Sequence, residues 1–349
     1  MLAALCFVLS ITAFLPLLPV NWWWVRIGDF PRVQLLIAYV LALAALFVFM
    51  GDTTFGRVLM LAMGGGIAIQ LFWIFPYLPV APKEVQWASQ SVKDVRLRIL
   101  SANVLQDNRE IQPLLKLVES EKPDIVVVCE VDQYWVEHLA PLEKTHPHFV
   151  LHPLENTYGL ALYSKLELQN PQVRAMLTTE IPSIDAMVLL PDGHQVRLFA
   201  VHPNPPRPGE DTTKRDGELV LVGREVCDDP SAIVLGDLND VGWSRTTNLF
   251  QKVSGLLDPR KGRGLYPTFN ANSYVWRYPL DYLFHSDDFR VADLRTLPHI
   301  GSDHLPLLVE LSREPAARAL QETPELNEQE RKDAQKAVRE AKALDELDV

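Results

Sequence analysis

Cysteine is scarce in this sequence, and no cysteine spacing recurs. Three cysteines occur in 349 residues: Cys6 lies in an apolar segment, Cys129 in a strand-like run and Cys227 in a helix-like stretch. This pattern excludes a disulfide framework, and we expect all three to be small core residues. The sequence also lacks C-x-x-C, H-E-x-x-H and G-x-S-x-G patterns, which argues against zinc chemistry and against a serine nucleophile on a strand–helix elbow.

Basic charge is scarce as well. The chain carries 33 basic and 44 acidic side chains, a net charge of −11, whereas proteins that bind long duplex nucleic acid usually present a basic face. The composition therefore disfavours nucleic acid as a partner without excluding it. One local group could still hold a phosphate and stack a base. It consists of Arg260, Lys261, Arg263, Tyr266, Phe269 and Trp276.

Residues 1–80 are nearly free of charge, with three arginines and two aspartates. They contain three apolar segments of about 18–24 residues, each long enough to cross a hydrocarbon core of ~30 Å. The segments cover residues 2–20, 33–50 and 57–80. Aromatic residues follow the first segment and close the third, as is typical of side chains at the headgroup level. We therefore predict a three-helix transmembrane region in a multi-pass protein of the cell membrane, with the lipid bilayer as a partner.

The first segment could instead be a cleaved signal peptide. No basic residue precedes it and no small-x-small site precedes Trp22, so we expect the segment to be retained. In the third segment, Gly64–Gly66 permits either a close helix contact or a kink. The basic residues near the membrane lie mainly in the 21–32 loop and just after the third segment, and the positive-inside rule therefore places the soluble domain in the cytoplasm.

Prolines mark the end of the membrane region, because each fixes the backbone and lacks an N–H group. After them, strand-like and helix-like patterns alternate, which indicates an α+β or layered α/β domain. Within this domain, one helix is expected after a cap at Asp107-Asn108 and another over residues 212–226. The polar tail that follows is expected to be a loose solvated helix or to be disordered. The divisions are a membrane region (1–80), a linker (81–94), a soluble domain (95–312) and a tail (313–349). The predicted strands are 95–102, 125–129, 158–163, 186–190, 196–201, 232–236, 281–284 and 305–311.

Acid, amide or imidazole side chains stand at the ends of five strand-like runs. Four follow an apolar run directly, and the fifth precedes the last run. Side chains at such positions meet at one edge of a sheet and can together form an active site. They are Asn103, Glu130, His202, Asp237 with Asn239, and Ser302-Asp303-His304.

Two of these positions suggest a metal site. Glu130, at the mouth of a buried strand, is suited to a hard cation such as Mg²⁺, although a surface salt bridge would also place an acid there. The amide oxygen of Asn103 could complete the shell of the cation, or the residue could simply form a turn. The Asp237-x-Asn239 spacing points both side chains to one side of the chain, so that a carboxylate could take a proton from water beside an amide that holds a phosphoryl oxygen. The alternative is an Asx-turn.

The histidines suggest proton transfer. His202 precedes a proline-rich loop, where an imidazolium could neutralise a phosphoryl oxygen or protonate a leaving group, although a lone histidine often has only a structural hydrogen bond. Asp281 lies inside an apolar stretch, where an unpaired carboxylate would be unfavourable. We expect His304 to be its partner, with Asp281 holding the tautomer of the ring and raising its basicity.

The ordered set resembles the endonuclease/exonuclease/phosphatase superfamily, the deoxyribonuclease- and sphingomyelinase-like phosphoesterases, over residues 95–312. With a histidine at position 202, the sequence is more similar to the nuclease, sphingomyelinase and inositol-phosphatase branches. The predicted membrane segments joined to this domain resemble a bacterial group of membrane-anchored members. The resemblance implies an α+β fold, a four-layered αββα sandwich with two sheets packed face to face. By matching position, the resemblance implies that Asn103 and Glu130 bind the divalent cation, with Asp303 near it. It implies that Asp237 orients or deprotonates the attacking water and that Asn239 holds the phosphate. It also implies that His202 and His304 stabilise the pentacoordinate state, with Asp281 supporting His304.

The sequence therefore predicts a membrane-anchored phosphoesterase that uses Mg²⁺, with Mn²⁺ as the alternative. It would hydrolyse phosphodiester or phosphomonoester bonds by metal-assisted attack of water. Phospholipid headgroups and small phosphoesters are the favoured substrates, and a membrane-tethered nuclease acting on DNA or RNA is the alternative. A non-catalytic phosphate-binding module is less favoured, because every catalytic residue type is present.

Overall fold

Apolar helices form the amino-terminal region of the protein. The computed structural model describes residues 2–89 and 95–347. Two of the described helices are long and apolar enough to cross a membrane, and both lie in this region. The helices are α1 (Leu2–Phe14), α2 (Trp23–Arg26), α3 (Arg32–Met50) and α4 (Thr54–Ile74).

The first apolar segment forms a shorter helix than the sequence predicts. Helix α1 has 13 residues, which at 1.5 Å per residue span about 20 Å, less than a hydrocarbon core of ~30 Å. Pro16 follows in a short 3-10 turn, and Arg26 donates hydrogen bonds to the carbonyl oxygens of Pro16, Leu18 and Val20. These bonds turn the chain out of the helix direction. Among the described helices, only α3 and α4 meet the length required of a membrane span.

A close contact joins α3 and α4. A Cβ atom at Gly66 would lie 2.6 Å from the Tyr39 ring, so the glycine allows the tyrosine to approach the α4 backbone. Tyr39 is buried together with Cys6 and Met63, which brings α1 into the same cluster. Of the two interpretations of the triglycine segment, close helix contact applies at Gly66, and α4 continues as a helix through it.

Two sheets make up the soluble domain, which confirms the α+β class. The strands are β1 (Val95–Asn103), β2 (Ile125–Cys129), β3 (His148–His152), β4 (Leu160–Ser164), β5 (Leu168–Ala175), β6 (Pro182–Leu189), β7 (Gln195–Val201), β8 (Ala232–Asp237), β9 (Asp281–His285), β10 (Phe289–Thr296) and β11 (Leu307–Arg313). The first sheet has the order β10-β11-β1-β2-β4-β3, and the second has the order β5-β6-β7-β8-β9. The helices of the domain are α5 (Ile111–Glu121), α6 (Gln133–Leu139), α7 (Thr213–Val226), α8 (Arg245–Ser254) and α9 (Glu328–Leu347).

Successive side chains along each strand point to opposite faces of its sheet, and this alternation divides the core of the domain between the two faces. In β2, Ile125 and Val127 pack against the second sheet, whereas Val126 and Val128 pack against α5 and α6. In the second sheet, the side chains of β8 alternate in the same way between the first sheet and a cluster with α7 and α8. Central strands buried on both faces read as unbroken apolar runs, and such runs were recognisable in the sequence.

The three strands that sequence reasoning missed, β3, β5 and β10, are all edge strands. They stand at the ends of their sheets, where one side of the strand has no neighbour and polar residues are tolerated. The expected helix cap at Asp107-Asn108 was also wrong. Helix α5 begins at Ile111 after Glu110, which makes no side-chain cap, and the Asn108 side chain accepts from the Glu110 N–H one turn earlier.

The carboxyl-terminal tail was expected to be either a loose solvated helix or disordered. It contains a helix, but this helix packs against the domain and is not loose. Helix α9 packs along α7, where Ala341 lies so close to Gly217 that a Cβ atom on the glycine would overlap it. Ala334 and Val338 are buried in the same contact. An ion pair of 2.5 Å between Lys252 and Glu330 joins α9 to α8.

Gly236 combines a positive φ with a close backbone contact, and both require glycine. Its φ is +134°, and an added Cβ atom would overlap the Val201 carbonyl oxygen. Gly193 provides a matched control, because its φ is +84° but nothing lies within 4 Å of the added atom. We expect Gly193→Ala to lower the free energy of unfolding by ~1–2 kcal/mol and Gly236→Ala to lower it by at least ~2 kcal/mol more. Thermal unfolding of the full chain in detergent measures this, and equal losses for the two variants would contradict the steric explanation.

Candidate active site

Strand pairing brings the sequence-predicted side chains to one edge. Strands β1 and β2 run parallel with Asn103 opposite Cys129, so Asn103 and Glu130 end side by side. In the second sheet, β7 and β8 are also parallel, and β9 runs antiparallel with Asp281 opposite Asp237. His202 follows β7 directly. The polar ends of both sheets therefore lie at the same end of the domain.

Asn103 connects the two sheets at this edge. Its amide nitrogen donates to Glu130 Oε1 over 2.8 Å and to Asp237 Oδ2 over 3.0 Å. Its amide oxygen accepts from the Leu105 N–H over 3.0 Å. The donor end of the amide is directed at the two carboxylates because they attract it, and the role of the amide oxygen as a cation ligand stays a prediction.

Glu130 is held in a strained backbone. Its φ is +65°, a left-handed conformation that costs a non-glycine residue roughly 1–2 kcal/mol. Strain of this kind is often kept where it aims a functional side chain. Besides Asn103, the Gln106 N–H donates to the carboxylate over 3.1 Å. Burial raises the pKa of Glu130 and these hydrogen bonds lower it by less, while Asp303 adds like charge nearby.

His304 lies between two carboxylates. Its Nδ1 is 2.8 Å from Asp281 Oδ2, the partner expected from the sequence, and its Nε2 is 3.5 Å from Asp237 Oδ2. Burial alone would lower the pKa of His304, but the charges of Asp281 and Asp237 and the hydrogen bond outweigh it and raise the pKa to about 10. The ring is therefore protonated at neutral pH.

His202 faces the same Asp237 carboxylate as His304 does, but its ring differs from that of His304 in protonation. Its Nε2 is 3.6 Å from Asp237 Oδ2, and the ring is buried beside Tyr158. Burial lowers the pKa of His202 more than Asp237 raises it, so the ring is neutral. Its Nδ1 has no hydrogen-bond partner among the described residues. A buried ring nitrogen without a partner can bind a ligand atom at low desolvation cost.

The Asp237-x-Asn239 segment forms the Asx-turn that was one of its two interpretations, and its catalytic interpretation stays a prediction. Asp237 Oδ1 accepts from the Asn239 N–H over 2.9 Å, which is an Asx-turn, while Oδ2 remains directed at the two histidines and at Asn103. The Asn239 amide donates to the Pro203 carbonyl oxygen over 3.0 Å. Burial raises the pKa of Asp237, and the attraction of His304 partly offsets this effect.

Arg215 is a site-supporting residue that sequence reasoning missed. It lies on α7, is buried, and donates to the Asn239 carbonyl oxygen over 3.0 Å. Asp216 and Asp240 balance its charge at 2.9 and 3.4 Å. A single arginine in a polar helix carries no sequence signal for this role, because the contact depends on how α7 packs against the loop after β8.

Two groups of side chains could hold a divalent cation. Asp237, Asp281 and His304 offer ligand atoms within 4.8 Å of one another, but this group carries the His304 proton, which a cation would have to displace. The sequence-predicted group of Asn103, Glu130 and Asp303 supplies oxygen ligands, which Mg²⁺ and Mn²⁺ prefer. The half-buried carboxylate of Glu130 fits a cation there, because burial raises its pKa and a cation would supply the positive charge that the hydrogen bonds only partly replace.

The basic group expected to hold a phosphate is used elsewhere. Arg260 is buried, pairs with Asp258 over 2.6 Å and lies 3.7 Å from the centre of the Tyr282 ring. Lys261 pairs with Glu84 over 3.1 Å, and Arg263 donates to the Val85 carbonyl oxygen over 2.7 Å. These three residues fasten the segment after the amino-terminal helices to the domain. Their contacts leave the predicted group without the basic side chains that would hold a phosphate, whereas its aromatic member Trp276 is exposed.

Similarly, not every cysteine is in the core. Cys6 and Cys129 are buried as expected, but Cys227 is exposed. It follows the last turn of α7, where the helix emerges from its packing surface. No disulfide joins the three residues, all of which lie in the described part of the chain.

Comparisons with known proteins agree with this geometry. The pattern that defines the Endonuclease/Exonuclease/phosphatase family matches residues 100–304, whereas a search of curated proteins finds no match. Similar solved structures include D. rerio TDP2 with a single-strand DNA product (17% identity, TM-score 0.53, 62% of this chain and 99% of that one). The human Nocturnin catalytic domain with bound sulfate has 19% identity and a TM-score of 0.52, with 63% and 95% covered. A protein of the same family from Bacteroides vulgatus has 15% identity and a TM-score of 0.53, with 63% and 99% covered. At these identities the likeness shows the fold.

Proposed function

Because this chain belongs to the endonuclease/exonuclease/phosphatase family of phosphoester-hydrolysing enzymes, we propose that it is a membrane-anchored phosphodiesterase or phosphatase that uses Mg²⁺ or Mn²⁺. One observation carries the proposal. The Nε2 atoms of a protonated His304 and a neutral His202 lie 3.5 and 3.6 Å from the same carboxylate oxygen of Asp237. The two packed sheets, with helices against their outer faces, correspond in this proposal to the four-layered αββα sandwich.

Each side chain has a chemical role in this mechanism. A divalent cation held by Glu130, Asp303 and, after rotation of its amide, Asn103 would add positive charge beside the phosphoryl oxygens. Asp237 orients the attacking water and accepts its proton, which burial favours by raising the pKa of the carboxylate. Protonated His304 donates a hydrogen bond to a phosphoryl or leaving-group oxygen and is kept charged by Asp281.

The remaining polar groups stabilise the developing charge. The neutral His202 ring, in the tautomer that carries its proton on Nδ1, donates from this nitrogen to a phosphoryl oxygen; Nδ1 is unpartnered among the described residues. The Asn239 amide reaches the phosphate when it exchanges the Pro203 carbonyl for that ligand. Arg215 holds the Asn239 backbone in place during this exchange. Preorganised donors of this kind stabilise the transition state more than the ground state.

Exposed apolar side chains support membrane anchoring. Phe47 on α3 is 74% exposed and Leu61 on α4 is 78% exposed, although burial of such a side chain is worth ~1.5–3 kcal/mol. A core helix of a water-soluble domain would bury these residues. We therefore place α3 and α4 across a bilayer as a hairpin, with α1 packed against them.

The soluble domain and the 21–31 loop share one side of that bilayer. The Thr212 N–H donates to the Asn21 carbonyl oxygen over 2.8 Å, and the Trp243 indole donates to the Asp29 carbonyl oxygen over 2.7 Å. A helical hairpin also has both of its ends on one side. The positive-inside rule then puts this side in the cytoplasm, although Arg26 and Arg32 both form ion pairs with Asp29.

Reporter fusions at the carboxyl terminus test the orientation, since α9 packs on the soluble domain. A cytoplasmic domain predicts fluorescence from a reporter that matures only in the cytoplasm, and no activity from alkaline phosphatase, which requires export. A fusion of each reporter to residue 52, between α3 and α4, should give the reciprocal result and serves as the control. Active phosphatase at the carboxyl terminus would place the domain on the outer side.

Hydrolysis assays on the full chain in detergent test the activity. We expect Mg²⁺-dependent turnover of bis(p-nitrophenyl) phosphate or p-nitrophenyl phosphate that EDTA abolishes. Asp237→Asn and His304→Ala should each lower turnover by ~10²–10⁴ without unfolding the protein, because each removes a group that acts on the reacting atoms. Asp228→Asn and His138→Ala make the same chemical changes at exposed positions and should leave turnover unchanged.

The outcome distinguishes the alternatives. Preferential cleavage of single-stranded DNA or RNA over both small esters would favour the membrane-tethered nuclease. Tight phosphate binding without any turnover would favour a binding module. Near-wild-type turnover of either site variant, with an unchanged melting curve, would refute the mechanism.

Glu130→Ala separates the metal site from the substrate site. We expect a rise of about 10–100-fold in the Mg²⁺ concentration needed for half-maximal activity, because the variant loses the carboxylate ligand of its strand. The Michaelis constant at saturating Mg²⁺ should change much less. Glu155→Ala removes an exposed carboxylate from the neighbouring loop and controls for the change in local charge. A Mg²⁺ dependence equal to that of the wild type would refute the assignment of Glu130.

A further inference from the structure

The segment 269–278, here called the aromatic loop, presents apolar side chains to its surroundings. At its tip, Tyr274 is 96% exposed, Val275 is 63% exposed and Trp276 is 55% exposed. Contiguous exposed apolar groups of this size usually mark a surface that binds a partner or a membrane. Tyrosine and tryptophan are also the residues that concentrate at the membrane–water interface.

The base of the aromatic loop belongs to the rim of the active site. Phe269 pairs through its backbone with His304, and its ring centre is 4.9 Å from the His304 ring centre. The Ala271 N–H donates to the Asp303 carbonyl oxygen over 2.6 Å. A few residues therefore separate the exposed tip from the groups that act on phosphate.

The tip of the aromatic loop lies at the level where α3 begins. The Gln34 side chain donates to the Val275 carbonyl oxygen over 2.5 Å, and the Phe30 ring packs edge-on against Tyr278. Helix α3 has 19 residues, a length of about 28 Å, which nearly equals a hydrocarbon core of ~30 Å. Because the whole helix is needed to cross the core, Gln34 in its first turn lies at the headgroup level.

A second loop at the rim is fastened to the same region. The segment 203–212 follows His202 and ends where the Thr212 N–H donates to the Asn21 carbonyl oxygen. The Asn21 side chain donates in turn to Thr213 Oγ1 over 3.1 Å. Beside Asn21, Trp22 and Trp24 stack on each other and are exposed. Two loops on the rim of the site are thus held against the membrane-proximal residues 21–34.

We propose that the aromatic loop inserts into the headgroup layer of the bilayer crossed by α3 and α4, and that the substrate is a phosphoester carried by a lipid of that bilayer. The substrate assignment rests on the proposed function, whereas the insertion rests only on the membrane anchoring. Arg277, whose guanidinium lies 5.4 Å from the Tyr274 ring centre, adds a positive charge next to the tip. Anionic headgroups are the partners that such a charge favours.

Insertion is tested with a fluorescent label at the tip. Cys227 is exposed and the other two cysteines are buried, so a Cys227→Ser background allows a nitrobenzoxadiazole label on Val275→Cys. Leu320→Cys is a matched control, because Leu320 has the same 63% exposure and lies beyond the other end of β9, next to Gln321, which donates to the Asp287 carbonyl oxygen. The labelled full chain is reconstituted in phosphatidylcholine–phosphatidylglycerol vesicles with and without nitroxide-labelled lipid.

We expect the nitroxide lipid to quench the label at position 275 at least threefold more strongly than the label at position 320. Equal quenching at the two positions would overturn the insertion of the loop. This readout does not depend on catalysis, so it remains informative if the proposed activity fails.

The substrate class is tested with two substrates in parallel. Vesicles contain phosphatidylcholine, phosphatidylethanolamine, phosphatidylglycerol, phosphatidic acid and sphingomyelin, and the release of water-soluble phosphate or headgroup is measured. The soluble comparison substrate is bis(p-nitrophenyl) phosphate. We expect the double variant Tyr274→Ser/Val275→Ser to lose at least tenfold of the vesicle turnover while its soluble turnover stays within twofold. Leu320→Ser should change neither.

Each result leads to a decision. Turnover of the soluble diester by the wild type without release from any vesicle lipid would overturn the lipid substrate and leave the proposed function standing. An equal loss on both substrates in the double variant would overturn the role of the loop in reaching lipid. Absence of Mg²⁺-dependent turnover on both substrates by the wild type would instead refute the proposed function.

Discussion

The two hydrogen bonds from the Asn103 amide are the interaction on which the site depends. Glu130 belongs to the first sheet and Asp237 to the second, and one side chain holds both carboxylates at 2.8 and 3.0 Å. Without this bridge, or a cation in its place, the half-buried Glu130 and the buried Asp237 would repel each other at the junction of the sheets. The apolar core sets the distance between the sheets, and Asn103 turns that distance into a defined spacing of the charged groups at their common edge.

Charge balance explains how so many ionisable groups are buried together. His304 carries a positive charge between Asp281 and Asp237, and Arg215 does the same between Asp216 and Asp240. Removal of one partner from such a group leaves an uncompensated charge, which is costly in a low-dielectric interior. The left-handed backbone at Glu130 is a related cost, and it sets the direction of this carboxylate at the common edge of the sheets.

The sequence predicted those features that arise from local pattern. Apolar runs identified β2 and β8, and the polar residues after them predicted which side chains come together, because the ends of neighbouring parallel strands meet at one edge. The edge strand β5 was missed because one of its sides needs no apolar partner. The orientation of the Asn103 amide, the support from Arg215 and the pairing of Arg260 with Asp258 depend on contacts between residues distant in the chain, for which periodicity and spacing carry no signal. The length of α1 was misjudged because Pro16 ends the helix inside an apolar run.

The hydrogen bonds from Trp243 to Asp29 and from Thr212 to Asn21 have a kinetic consequence. They attach the soluble domain to the 21–31 loop at two separated points, so the domain cannot swing around a tether to sample a large volume of solution. With the membrane anchoring and the lipid substrate proposed above, an enzyme fixed in this way would meet its substrate by lateral diffusion in two dimensions. Its rate would then follow the number of substrate molecules per unit area of bilayer, and dilution of the surrounding solution would leave it unchanged.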